Sequence, residues 1–224
     1  MRIAYISLHW PRTFSSGVGK KINSHIQTWK SLGHEARFFM HTEETLASDL
    51  LAGEKFFYSS QRGIIQREIA RTRAVKEMLL AVERYQPDII YFRYGIYVYP
   101  LHRLSSIAPV VEEINTNDIE QHKRLGISYS FYNRFTRGIL LRSVSGLIGV
   151  SKELADTPVF RDFQQPTRVI ANGINLSKFN PLGAPNNNVP RIVFIGTPGY
   201  YWQGEDKLIN FARAFPDLQI EIVG

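Results

Sequence analysis

Three short polar clusters could do chemistry, and each stands at or just after a run of apolar, strand-forming residues. Arg93-Tyr94 follows Asp88–Phe92, Glu113-Ile114-Asn115 with Asp118 closes the run from Pro109, and Gly17-Val18-Gly19-Lys20-Lys21 comes after Arg2–Leu8. In an open parallel sheet, ligands lie outside the carboxyl ends of the strands, so residues just past strand ends are the informative ones. The planar fork of Arg93 suits a phosphate or carboxylate better than a lysine would. Gly17 and Gly19 let backbone approach a ligand, and the N–H groups of a helix start present partial positive charge to a phosphate, with Lys20 adding a point charge. Glu112 and Glu113 point to opposite faces of their strand, and parity puts Glu113 on the side of Asn115. Asn115 and Asp118 would then orient hydroxyl groups. Two readings stay open for Glu113, a substrate contact or a buried partner of Arg93. Two also stay open for Gly17 and Gly19, a phosphate cradle or a tight turn.

Several chemistries are excluded. The chain has no cysteine, which removes disulfides, thiolate metal sites and cysteine nucleophiles, and fits a reducing compartment. Its histidines at 9, 25, 34, 41, 102 and 122 show no metal-ligand spacing, so no metal and no cofactor are expected. Neither a Gly-x-Ser-x-Gly elbow nor a Walker loop is present, and Gly17-x-Gly19 lacks the third glycine and the later acidic residue of a dinucleotide site. Arg2–Leu8 is too short, and too soon followed by His9 and Pro11, for a signal h-region. No apolar run approaches the roughly 20 residues that span a bilayer. Cytoplasm is the expected location.

Lys and Arg number 27 against 20 Asp and Glu, a net +7. Two segments carry that excess: Arg62–Arg84, with six basic and three acidic residues, and Ile119–Arg142, with five and one. The second interleaves Tyr129, Phe131, Tyr132 and Phe135 with Arg134 and Arg137. That mixture suits an anionic membrane surface, and it also describes a helix with a solvated basic face. No nucleic-acid module is recognisable, and no nucleic-acid partner is expected.

Elements that must position these groups alternate between short β-branched runs and longer helical periods, the pattern of a parallel sheet sandwiched by helices in an α/β, Rossmann-like fold. Strands are expected at Arg2–Leu8, Ala36–Met40, Asp88–Phe92, Pro109–Glu113, Gly146–Val150 and Thr167–Ala171, with Phe56–Ser59 as a further candidate. Val18–Leu32 reads as a helix closed by Gly33, where a left-handed residue is needed. Ile64–Arg84 reads as a longer one stopped by Pro87. Breakers at Asn172-Gly173 and through Pro181–Asn188 mark a linker, after which Arg191–Ile195, a helix over about Asp206–Phe215 and Gln219–Val223 begin a second βαβ unit.

Taken in order, these landmarks resemble the family 4 glycosyltransferases of the GT-B fold along the whole chain. Gly17-Val18-Gly19-Lys20-Lys21 is similar to the family's glycine loop, and Leu32-Gly33-His34-Glu35-Ala36 to its helix exit. Ser151-Lys152-Glu153-Leu154 looks like its Ser-x-x-Leu, and Asn172-Gly173-Ile174-Asn175 with Phe179-Asn180-Pro181 like its passage into the linker. Arg93-Tyr94 with Glu113-Ile114-Asn115 resembles a branch in which Asn115 stands where many members have a histidine. The family's second-domain loop usually offers an arginine and a Lys-Gly pair to the donor diphosphate; this chain has Thr197 and Gln203-Gly204.

The resemblance implies residues 1–180 as an acceptor-binding Rossmann-like domain, 181–190 as a linker, and 191–224 as the first βαβ portion of a second, truncated nucleotide-sugar-binding domain. It implies transfer of a sugar from a nucleotide-sugar donor to a glycan or lipid-linked acceptor with retention of configuration, and the basic aromatic stretch Ile119–Arg142 would bring such an enzyme to the inner face of the membrane. Gly17, Gly19, Lys20, Arg93, Tyr94, Glu113, Asn115 and Asp118 would serve the acceptor or a phosphate, and Gly196, Thr197, Gln203 and Gly204 the donor. Its acidic donor-sugar motif would lie past Gly224, so residues 1–224 by themselves are expected to transfer nothing. The rival readings are a non-catalytic carbohydrate- or phosphate-binding module and an NAD(P)-dependent Rossmann enzyme.

Overall fold

Strand β1 (Arg2–Leu8) is apolar on both faces because both are covered by helices, and it is central in the sheet of the computed structural model. Residues 1–8, 17–43, 53–59, 63–176, 179–184, 186–196 and 204–223 are described. Contacts divide the chain into Met1–Gly173 and Ile174–Gly224.

In the first unit the elements run β1, α1 (Gly17–Ser31), β2 (Glu35–Glu43), β3 (Glu54–Tyr58), α2 (Ile64–Tyr85), β4 (Ile89–Arg93), a 3-10 turn (Leu101–Ser106) and β5 (Val110–Ile114). They continue with α3 (Asp118–Leu125), α4 (Ile127–Leu141), β6 (Gly146–Gly149), α5 (Lys152–Asp156), α6 (Pro158–Arg161) and β7 (Thr167–Val169). Every pairing is parallel, in the order β3-β2-β1-β4-β5-β6-β7. This is the doubly wound arrangement, and its direction reverses between β1 and β4, where such sheets bind ligands.

Side-chain alternation sends Ile3 and Tyr5 of β1 and Phe38 and Met40 of β2 toward α1, where Ile22 and Ile26 meet them. Ala4, Ile6, Phe39, Ile90 and Phe92 face the other way, against Val75, Met78 and Val82 of α2 and Leu140 and Leu141 of α4. Thus α2 and α4 share one layer, and α1 lies across the sheet.

Local signals account for most boundaries. Gly33 takes φ of 80° after α1, as its place demands. α2 instead ends on Gln86, a left-handed non-glycine whose N–H bonds Glu83 O. Ser151 caps α5 by accepting from Leu154 N at 3.1 Å, which gives the Ser-x-x-Leu pattern a mechanical meaning. The basic aromatic segment is two helices, because Gly126 at φ 123° breaks the ladder between α3 and α4. β2 outruns Ala36–Met40 at both ends, and the further candidate near Phe56–Ser59 is a paired strand.

The second unit holds β8 (Arg191–Ile195), α7 (Glu205–Ala214) and β9 (Gln219–Val223), with β8 and β9 parallel and Arg191 paired to Glu221 across them. No helix among the described residues is long and apolar enough to cross a membrane.

Candidate functional site at the strand ends

The register of β4 and β5 sets Arg93 directly opposite Glu113, and β1 sets Ser7 beside Arg93 on the other edge. Arg93 and Glu113 face α1 by alternation. Glu113 is only 1% exposed, so its charge must be met inside the protein. Arg93 Nη1 donates to Oε1 at 2.9 Å, and the Tyr91 hydroxyl donates to Oε2 at 2.6 Å. Lys21 Nζ comes across from α1 to 3.1 Å from Oε2. The same ammonium donates to Asn172 Oδ1 at 2.6 Å and reaches Asn115 Oδ1 at 3.5 Å. Asn115 Nδ2 in turn donates to Glu113 O at 3.3 Å.

Burial pushes the Glu113 carboxyl up, but the Tyr91 hydrogen bond, the Lys21 charge, the Asn115 hydrogen bond and Arg93 together outweigh it and hold the group below the usual carboxylate range. Glu113 is ionised and bound to two cations, so this three-charge set carries a net positive charge at the point where the sheet's order reverses. Tyr5, His25, Trp29 and Tyr91 wall it off on the α1 side, with ring centroids 5.1 to 6.0 Å apart. Burial in that cluster lowers the His25 pKa, so it adds no competing charge.

Lys21 was missing from the expected set, where Lys20 stood. Lys20 is exposed, whereas Lys21 shares the inward stripe of Val18, Ile22, His25 and Trp29. That helical period was the available signal. Gly17 begins α1, nothing lies within 4 Å of where its Cβ would be, and Gly19 is buried inside the first turn.

Tyr94 and Asp118 come together elsewhere, on the opposite side of the sheet. Asp118 is fully buried, and its carboxylate accepts from Arg137 Nε at 2.8 Å, Arg137 Nη2 at 3.0 Å, Asn133 Nδ2 at 2.6 Å and the Tyr94 hydroxyl at 2.8 Å. Arg137 also donates to Val159 O at 2.9 Å, tying α4 to α6. Burial alone would raise the Asp118 pKa, and these bonds more than reverse it. Arg137, expected on an outer basic face, points inward. Next to this group, Glu112 is fully buried with neither carboxyl oxygen hydrogen-bonded among the described residues. Burial, and then the charge of Asp118, raise its pKa well above the ordinary range and favour the protonated form.

Gly196 and Gly204 belong to the second unit, where Gly204 at φ 74° precedes α7. Thr197 and Gln203 lie outside the described residues, as does His9. Among the described residues no group of three or more His, Asp or Glu side chains is placed to hold a metal ion.

No protein-family model matches the chain, and no curated protein matches it. Solved structures do. Sucrose-phosphate synthase from Thermosynechococcus elongatus superposes with a TM-score of 0.70 at 16% identity, covering 100% of this chain and 62% of that one. The lipopolysaccharide outer core galactosyltransferase WaaB gives 0.60 at 9% identity, over 100% and 68%. The catalytic domain of starch synthase IV from Arabidopsis thaliana, bound to ADP and acarbose, gives 0.58 at 13%, over 99% and 68%. An α-glucosyltransferase in complex with UDP and DNA gives 0.53 at 13%, and the chain spans 53% of its length. These are GT-B glycosyltransferases, and the present chain has the Rossmann-like fold of that class.

Proposed function

We propose that the protein is a retaining glycosyltransferase, with residues 1–180 binding the acceptor and residues 191–224 beginning the part that binds a nucleotide-sugar donor. The observation that carries this reading is the Lys21–Glu113–Arg93 set, a positively charged and geometrically fixed group at the switch point of a glycosyltransferase fold. Arg93 has donors beyond the one spent on Glu113, and the planar fork suits a phosphate or carboxylate of the acceptor. Asn115 and Lys21 would orient an acceptor hydroxyl. Glu113 serves as their fixed counter-charge. The first turn of α1, from Gly17 through Lys20, would turn the positive end of the helix dipole toward a phosphate. In the second unit Gly196, Thr197, Gln203 and Gly204 would contact the donor, for which UDP- and ADP-sugars are the first to try.

No protein nucleophile is required in this scheme. The donor's own phosphate oxygens assist removal of the acceptor proton, and the protein contributes orientation and electrostatic stabilisation. The acceptor is a glycan or a lipid-linked sugar, met in the cytoplasm at the inner membrane face, and no cofactor takes part. The test is transfer from labelled UDP- and ADP-sugars by the protein at its native length, with the anomeric configuration of the product read by NMR. Absence of transfer to any glycan or lipid-linked acceptor would remove the function, and an inverted product would remove the retaining mechanism.

A further inference from the structure

Ile127, Phe131, Phe135 and Ile139 recur every four residues along α4 and therefore lie on one line of the helix surface. All four are exposed, Ile127 by 90% and both phenylalanines by 65%, with the two rings 4.5 Å apart. The opposite face of α4 is the buried one, holding Asn133, Arg137, Leu140 and Leu141. A second apolar surface stands on the start of α2, where Ile64, Ile65, Ile69 and Thr72 line an open groove of about 540 Å³ bordered by Arg73, Lys76 and Glu68, the last ion-paired with Arg71 at 2.8 Å. The two surfaces adjoin. Both helices pack on the Leu101–Ser106 turn, the Tyr132 hydroxyl donates to Tyr97 O at 3.1 Å, and Arg71 and Glu68 of α2 act electrostatically on that same hydroxyl.

From this we infer that α2 and α4 together form a docking face for an anionic lipid surface, an inference that rests on the glycosyltransferase reading above and specifies where the acceptor's membrane would be met. The charge pattern selects the occupant. Arg73, Lys76 and Arg134 are exposed beside the apolar residues, and the two segments containing these helices account for the whole net charge of +7. A second copy seated by two-fold symmetry would set these cations against their own equivalents. A bilayer headgroup layer instead offers negative charge at the rim and an apolar boundary for the isoleucines and phenylalanines. Arg137 takes no part, since it is bonded to Asp118 inside the protein.

The experiment is co-sedimentation of the native protein with phosphatidylcholine vesicles and with vesicles containing phosphatidylglycerol, at low and moderate salt. Three variants are compared with it: Phe131→Ser/Phe135→Ser, Ile64→Ser/Ile65→Ser and Arg73→Glu/Arg134→Glu. These side chains are exposed, so the thermal transitions should match the native one and serve as the control for folding. Binding is expected on the anionic vesicles, weakening with salt, and falling roughly tenfold or more in each variant. No binding by the native protein at low salt, equal binding to neutral vesicles, or undiminished binding by the variants would overturn the inference. So would sedimentation velocity showing a native dimer that Phe131→Ser/Phe135→Ser dissociates, which would assign the face to a second copy. Sugar transfer to a soluble acceptor, measured without lipid, keeps the two readings apart. Its persistence in non-binding variants would leave the transferase reading intact, and its absence beside normal vesicle binding would remove that reading alone.

Discussion

Lys21 Nζ lies 3.1 Å from Glu113 Oε2, although three strands separate α1 from β5 along the chain. Together with Arg93 on the other carboxylate oxygen, this contact fixes two cations on one buried anion. Removing the anion should therefore destabilise as well as misplace.

For Glu113→Gln we expect a loss of about 2–4 kcal/mol in urea unfolding, because two poorly solvated cations lose their counter-charge. The acid limb should change as well. The folded-state pKa of Glu113 is depressed, so its contribution is fully present above the unfolded value near 4 and is lost as pH falls below it. Native stability should drop between about pH 5 and pH 3, and the variant should drop less steeply there. Parallel curves would show that Glu113 is not the ionised centre of this group.

Lys21→Met and Arg93→Lys separate positioning from stability. Each should lower acceptor kcat/KM by roughly tenfold or more, the first by removing a charged donor and the second by removing the planar fork. Both should leave donor KM nearly unchanged. Steady-state kinetics on the native-length enzyme decide the matter, and unaltered acceptor kinetics would confine both residues to structure.

Arg134 and Arg137 are three residues apart with opposite expectations. Arg137→Ala strands the buried Asp118 carboxylate and frees Val159 O, and should cost about 3–5 kcal/mol. Arg134→Ala changes only an exposed side chain and should stay within about 0.5 kcal/mol of native. Chemical denaturation of the two variants compares them directly, and equal losses would contradict the inward placement of Arg137.

Glu112→Gln tests the unpartnered carboxyl. Its raised pKa means that the folded chain holds this proton more tightly than the unfolded chain does. That contribution is fully present below the unfolded value near 4 and is lost as pH rises toward the folded one. The amide cannot ionise, so native and variant should be nearly equal at about pH 4, and the variant should gain on the native protein as pH rises. A pH-independent difference between the two unfolding curves would show that the Glu112 carboxyl does not titrate differently on folding.

Much of the architecture was written in local pattern. Apolar runs of strand length alternate with helical periods, and that alternation determined an α/β sheet, the place of β1, β4 and β5 and the turn at Gly33, since each depends only on neighbouring side chains. Alternation along β5 likewise separated Glu113 from Glu112, because successive strand residues must face opposite sides. Which groups meet was decided by the tertiary structure. Strand order set β1 beside β4 and so brought Lys21 from α1 to Glu113, and Asn172 from the end of the first unit to the same Lys21 ammonium, contacts that no spacing in the chain encodes. Packing of α4 against α6 turned Arg137 inward to Asp118, although its sequence neighbours read as a uniform basic face. Charge and periodicity are local properties of the chain, but a buried carboxylate takes whichever cations the completed fold leaves within reach.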